Sequence, residues 1–187
     1  EEAAMRALDI AASIIILILA FPMLAAVALL IKLTSKGPVL YKQIRVGKDG
    51  ELFTLYKFRT MIHDAEKELG PVLAQENDPR ITKIGKFLRA TRIDEFPQLF
   101  NVLKGEMSLV GPRPERPYFV KRHKVLMEMR LAVRPGLTGL AQVRNSYDLT
   151  PKHKIKYDYL YIQRRSLLLN LYILAQTIPV MFRKMGR

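Results

Sequence analysis

Cysteine is absent from all 187 residues. That excludes disulfides, thiol catalysis and cysteine–zinc sites, and it is compatible with a reducing compartment. Histidine is scarce: His63, His123 and His153 lie far apart, which disfavours a histidine-based metal site. Acidic residues are outnumbered, 17 Asp and Glu against 31 Lys and Arg, for a net charge of +14. So basic a chain implies an anionic partner: nucleic acid, an anionic membrane surface, or phosphorylated substrates. No internal repeat and no low-complexity tract occurs.

One long uncharged stretch is present. Ile10 to Ile31, about 22 residues, is long enough to cross a bilayer. No small-residue cleavage site follows it before Lys32, which disfavours a signal peptide. Pro22 removes one backbone hydrogen bond in mid-run and predicts a kink. Two topologies follow: a span, or a helix that bends at Pro22 and returns both ends to one face. The stub before it carries Arg6 but also Glu1, Glu2 and Asp9, so it does not choose between them. Lys32, Lys36, Lys42, Arg45 and Lys48 follow at once and place the remainder on the cytoplasmic side.

Beyond Gly37-Pro38, Val39 to Gln43 and Leu52 to Arg59 read as two short strands around Lys48-Asp49-Gly50. Alternation in the second puts Lys57 and Arg59 on one face, where two cations could grip a phosphate or line a solvated surface. Met61 to Leu69 reads as a short polar helix, and Gln75 to Arg80 as a loop. Thr82 to Thr91 is amphipathic, with Ile84, Phe87 and Leu88 on its apolar side. Lys83, Lys86, Arg89 and Arg92 recur every third residue, a basic stripe aimed at the adjacent carboxylates Asp94 and Glu95.

A carboxylate pair ringed by cations suits phosphate chemistry: the cations neutralise an anionic substrate, and the carboxylates hold a metal or attack phosphorus. The plainer reading makes Asp94 the N-cap of a helix over Phe96 to Leu103, or Thr91 with Asp94 a capping-box variant. The two do not exclude each other. Arg113 stands between Pro112 and Pro114, which present one guanidinium stiffly. Arg116 to Ala132 reads as a basic amphipathic helix, Arg134 to Gly139 as a turn-rich loop, and Thr150-Pro151 as a helix start. Ser166 to Met185 is apolar, interrupted at Pro179, and fits a helix lying in the headgroup region.

Taken in order, several segments resemble one family. They are the apolar helix with Pro22, Leu55 to Met61 (LYKFRTM), Ile93 to Val102 (IDEFPQLFNV), Leu109 to Pro114 (LVGPRP), and Arg134 to Gly139 (RPGLTG). Over nearly its whole length the chain resembles the bacterial sugar transferases, also called monotopic phosphoglycosyltransferases. The resemblance implies transfer of a sugar-1-phosphate from a UDP-sugar to undecaprenyl phosphate, with UMP leaving, at the cytoplasmic face of the bacterial inner membrane. It implies Asp94 as a nucleophile that forms a phosphosugar intermediate, and Glu95 as the holder of Mg²⁺. Lys57, Arg59, Arg89, Arg113 and Arg134 match basic positions that would bind phosphates or the nucleotide. Asp158 matches an acidic position without an assigned role. It also favours the re-entrant topology at Pro22.

The chain departs from that pattern twice. Phe21 stands before Pro22 where serine is frequent, and Asn170 stands where the last helix often has aspartate. Larger members carry further N-terminal membrane segments, and a chain opening on Glu1 is expected to be an excised catalytic piece. The fold expected is α+β, mainly α. Residues 1–36 form a membrane-inserted re-entrant helix. Residues 37–187 form one catalytic unit with a small β-hairpin and amphipathic interfacial helices around the active site. The partners expected are the UDP-sugar, undecaprenyl phosphate and membrane lipid, with a homo-oligomer open and nucleic acid not expected. Arg116, Tyr118 and the Asn145 to Leu149 loop are placed near the sugar by position. Two other readings stay open. One is a membrane-anchored nucleic-acid-binding module stacking bases on Tyr157, Tyr159 and Tyr161. The other is a structural protein whose basic face binds anionic lipid.

Overall fold

A computed structural model of the chain describes residues 1–65, 78–122, 128–144 and 151–182, excepting the side chains of 151–153, 181 and 182. Helix α1, Glu2–Thr34, runs unbroken for 33 residues with Pro22 inside it. A hairpin follows, β1 Leu40–Val46 and β2 Leu52–Phe58, antiparallel with Leu40 opposite Phe58 and Val46 opposite Leu52. Asp49 (φ 55°) and Gly50 (φ 83°) carry its turn. Then come α2 Lys83–Thr91, a single 3₁₀ turn Ile93–Glu95, α3 Gln98–Lys104 and β3 Ser108–Val110. After α4 Pro117–Arg122 and a 3₁₀ segment Glu128–Ala132, β4 Gly136–Thr138 pairs in parallel with β3. Helices α5 Leu140–Arg144, α6 Pro151–Gln163 and α7 Leu167–Phe182 close the chain. The fold is mainly helical with a small hairpin, as expected, and has a second, parallel two-stranded sheet that was not.

The core gathers Phe53 and Leu55 of the hairpin with Leu99, Val102, Met107 and Leu109, and α6 and α7 add Tyr161 and Ile173. Tyr161 donates its hydroxyl to Val110 O (3.0 Å) and to Asn170 Oδ1 (2.9 Å). Asn170 thus satisfies a buried hydroxyl with a neutral acceptor, where a carboxylate would bring a charge out of water. A second apolar cluster joins Val27 and Ile31 of α1 to Phe58 and Leu88.

Much of the middle of α1 is exposed among the described residues, including Ile15, Ile18, Leu19 and Phe21. Such a helix is long and apolar enough to cross a membrane. Its two ends, however, are fastened to the same body. At the first, Arg6 donates to the Val102 and Leu103 carbonyls (2.6 and 3.0 Å) at the end of α3, where Val102 O also accepts from the Gly105 N–H (3.0 Å). Buried Asp9 there accepts from Ser108 Oγ (3.1 Å) and the Leu109 N–H (2.9 Å). At the second, Arg59 Nη2 donates to Ser35 O (2.9 Å) and Oγ (2.8 Å). Gly37, at φ 113°, leaves room for that guanidinium: a Cβ there would stand 2.3 Å from Arg59 Nη1.

Several expected elements differ. The first strand extends to Val46, because its partner runs in register to Leu52. Arg134 to Gly139 contains a strand, β4, which the glycines and proline concealed. Residues 61–65 are not helical: Met61 bridges to Ile81, and Asp64 adopts φ 62°. The rest of that proposed helix, and residues 75–77 of the next loop, lie outside the described residues. The expected helix over Arg116 to Ala132 appears as α4 and a 3₁₀ segment, with 123–127 outside the description. Phe87, expected on the apolar side of α2, is exposed.

Candidate active site

The adjacent carboxylates are buried by their neighbours. Helix α2 starts at its N-cap Thr82, whose hydroxyl accepts from the Gly85 N–H (3.0 Å). It stops at Arg92, which takes a left-handed conformation (φ 60°). The chain turns there and enters the 3₁₀ turn. Ile93 packs into the second apolar cluster and Phe96 against the first. Asp94 and Glu95, drawn in between, are each 8% exposed. Asp94 is not an N-cap: α3 begins at Gln98 after Pro97, with no side-chain cap. Thr91 donates its hydroxyl to Phe87 O (2.9 Å) and Leu88 O (3.2 Å), so no capping box forms.

The two carboxylates differ in their surroundings. Glu95 Oε1 accepts from Lys57 Nζ and from Arg113 Nη2, each at 2.7 Å, and Arg92 Nη1 stands 3.6 Å from Oε2. Burial alone would raise the Glu95 pKa, but Arg113, Lys57 and Arg92 outweigh it and hold the group well below the usual carboxylate range. Asp94 has no hydrogen bond or ion pair among the described residues. Burial pushes its pKa up to about 6, against the pull of Lys57. Burial likewise lowers the Lys57 pKa, with Glu95 opposing. The site thus pairs one carboxylate saturated by cations with one left uncommitted, and such divergence marks acid, base or nucleophile positions. Arg89 donates Nε to Thr60 Oγ1 (2.8 Å) and lies in the field of Asp94.

Arg113 reaches Glu95 from a loop whose main chain is bonded at every residue. Gly111 N donates to Thr138 O (2.9 Å), Gly136 N to Pro112 O (2.9 Å), Arg130 Nη2 to Arg113 O (2.9 Å), Arg45 Nη1 to Pro114 O (2.9 Å), and Val46 N to Glu115 O (3.0 Å). Arg130 Nε stands 2.8 Å from Asp158 Oδ2, although its N–H does not point along that line, and Nη1 lies 3.4 Å from Glu115. Burial pushes the Asp158 pKa up to about 6 while Arg130 opposes it.

Of the residues expected at the site, Lys57, Glu95 and Arg113 are thus in direct contact, with Asp94 beside them and Arg89 within its field. Arg59 engages Ser35 through Nη2, while its Nε and Nη1 have no hydrogen-bond partner among the described residues. Arg134 donates Nε to Gly105 O (2.9 Å) behind α3. Asp158 meets Arg130. Lys83 and Lys86 are exposed, and the stripe breaks at Arg92, where the helix ends. Arg45 and Arg130 escaped sequence reasoning. Each is one basic residue among 31, and the carbonyl it binds, Pro114 O for Arg45 and Arg113 O for Arg130, is brought near only by folding. The Asn145 to Leu149 loop lies outside the described residues. Tyr161 is buried and Tyr157 packs against the core, so no row of stacking tyrosines forms.

No cluster of three or more metal-ligating side chains occurs among the described residues. Magnesium arriving on a diphosphate needs only one or two protein carboxylates. Glu95 Oε2, with Arg92 no nearer than 3.6 Å, and the uncommitted Asp94 carboxylate fit that need.

The chain matches the bacterial sugar transferase family over residues 1–184. It is 44% identical over 187 residues to a UDP-N-acetylgalactosamine-undecaprenyl-phosphate N-acetylgalactosaminephosphotransferase of Aeromonas hydrophila, covering 97% of this chain and 44% of that one. It is 44% identical over 178 residues to a UDP-glucose:undecaprenyl-phosphate glucose-1-phosphate transferase of Klebsiella pneumoniae, covering 91% and 38%. A Bacillus subtilis (strain 168) protein, provisionally named an undecaprenyl-phosphate N-acetylgalactosaminyl 1-phosphate transferase, is 57% identical over 153 residues, covering 80% and 81%. The chain therefore spans 44% and 38% of the length of the first two relatives.

Proposed function

The chain belongs to the bacterial sugar transferase family, and from that premise we propose that it moves a sugar-1-phosphate from a UDP-sugar to undecaprenyl phosphate through a covalent intermediate on Asp94. The observation that carries this reading is the uncommitted, buried Asp94 carboxylate beside a Glu95 held by two cations. An Asp94 oxygen attacks the sugar-bearing phosphorus. The bond to the bridging oxygen breaks, and that oxygen leaves on UMP. A phosphate oxygen of the lipid then attacks the phospho-aspartate, and the Asp94 carboxylate is regenerated. Lys57 and Arg113 offer cations where the diphosphate charge gathers, and Arg89 adds a third near Asp94. Glu95 and Asp94 would hold Mg²⁺, which when bound neutralises diphosphate oxygens. A pKa near 6 keeps Asp94 largely ionised at neutral pH, yet poorly solvated and so reactive. Arg59 and Arg134 are engaged through one nitrogen each, with Ser35 and Gly105, and these steps are written without them.

Helix α1 is read here as re-entrant. Asp9 and Ile31 are separated by about 33 Å along a straight helix, yet both pack on the body that carries the site. On this reading α1 bends at Pro22 in the membrane, both ends lie at one face, and the exposed Ile15, Ile18, Leu19 and Phe21 enter the lipid. The basic flank after Lys32 puts that face in the cytoplasm, at the inner membrane. Neither the fold nor the relatives lend support to the nucleic-acid reading.

The test is UMP release from a panel of UDP-sugars with undecaprenyl phosphate and Mg²⁺. Lipid-dependent release is expected, and the best sugar of the panel names the substrate. Full activity in Asp94→Asn would remove the covalent route.

A further inference from the structure

Arg113 meets Glu95 with a side chain still 41% exposed. A long cation in that setting has many rotamers, and its position depends on how firmly its backbone is held. Four consecutive carbonyls, Pro112 to Glu115, are each bound by a different donor. The bond to the carbonyl of Arg113 itself comes from the buried Arg130 guanidinium (2.9 Å). Arg130 is stationed by Asp158, which α6 carries into the interior at 2% exposure, 2.8 Å from Nε.

Charge decides where Arg130 stays. A guanidinium at 9% side-chain exposure requires a nearby anion. Among the described residues, Glu115 is a second acid near it, further away at 3.4 Å and more exposed at 32%. With Asp158 neutralised, Arg130 is drawn outward to Glu115 and water, and the Arg113 carbonyl loses its donor. We propose that Asp158 and Arg130 form a positioning pair, in which the ion pair clamps the Arg113 carbonyl and so holds the Arg113 guanidinium on Glu95. The pair touches no substrate. Its part in turnover rests on the transferase reading above, whereas the clamp itself does not.

Two measurements on the full chain separate these claims. The first is hydrogen exchange, which needs no substrate. The amides of Gly136 and Val46 donate to the Pro112 and Glu115 carbonyls on either side of the clamp. In Asp158→Asn both are expected to exchange roughly tenfold faster, while amides of α3 keep their rates. Arg130→Lys, which keeps the charge but cannot reach both partners, is expected to do the same and serves if Asp158→Asn fails to fold. Unchanged exchange at Val46 and Gly136, or a uniform rise across the chain, overturns the clamp.

The second is a double-mutant cycle in UMP release. Asp158→Asn and Arg113→Lys are each expected to lower release by roughly ten- to a hundredfold. Together they are expected to lose no more than Arg113→Lys alone, because one acts through the other. Multiplying losses overturn the proposal. If the unaltered chain releases no UMP from any UDP-sugar, the transferase reading fails, and the exchange measurement still decides the clamp.

Discussion

At the scale of single residues, the two adjacent carboxylates are expected to respond oppositely to the same chemical change. Glu95→Gln removes the anion shared by Lys57 and Arg113 and leaves two cations half buried. The expected cost is about 3 kcal/mol, a fall in melting temperature of roughly 10 °C by calorimetry. Asp94→Asn instead removes a charge that burial disfavours, so it is expected to melt no lower than the unaltered protein while losing UMP release at least about a thousandfold. The pH profile follows from the same group. Its pKa rises from 3.8 unfolded to about 6 folded. The folded state therefore keeps the proton longer, and the contribution of Asp94 to stability falls as pH rises from 3.8 to about 6. Activity moves the other way. UMP release is expected to climb through pH 6 as the carboxylate ionises, and a profile flat from pH 5 to 7 would speak against Asp94 as nucleophile.

At the scale of elements, the helix α1 and the β3–β4 pair carry the placement of the site. The absence of native cysteine makes topology readable by single substitutions. Ala4→Cys lies in the first turn of α1 and Lys36→Cys just past its end, and a re-entrant helix exposes both to an impermeant maleimide from the cytoplasmic side. Labelling of the two from opposite sides would instead establish a span. The parallel pair is held close enough that a Cβ on Gly136 would stand 2.0 Å from Gly111 N and 2.4 Å from Thr138 O. Gly136→Ala is expected to cost at least about 2 kcal/mol, measured by denaturant unfolding in detergent. It should also loosen the Pro112 carbonyl and with it Arg113.

At the scale of the whole molecule, charge and apolar surface act together. The net charge of +14 is expected to draw the protein to anionic lipid, an attraction that salt screens. The exposed apolar middle of α1 is indifferent to salt. Washing vesicles with 1 M salt, where screening acts within about 3 Å, is therefore expected to leave the protein bound, and detergent to release it. Release by salt alone would place α1 outside the lipid.

The sequence by itself determined the apolar helix with its proline, the hairpin, the amphipathic α2, and the presence of a cation-ringed acidic pair. Each is a local or periodic pattern, written in residues a few positions apart. Tertiary structure decided which carboxylate the cations take, because Lys57, Arg92 and Arg113 come to Glu95 from three separate segments. It also decided that Arg134 to Gly139 contains a strand, since the three residues Gly136–Thr138 are stabilised as a strand only by their partner β3. The bonds to the Arg113 loop, from Arg45, Arg130 and two backbone amides, join residues far apart in the chain and terminate on carbonyls. A carbonyl is the same in every residue, so no side-chain pattern could have announced them.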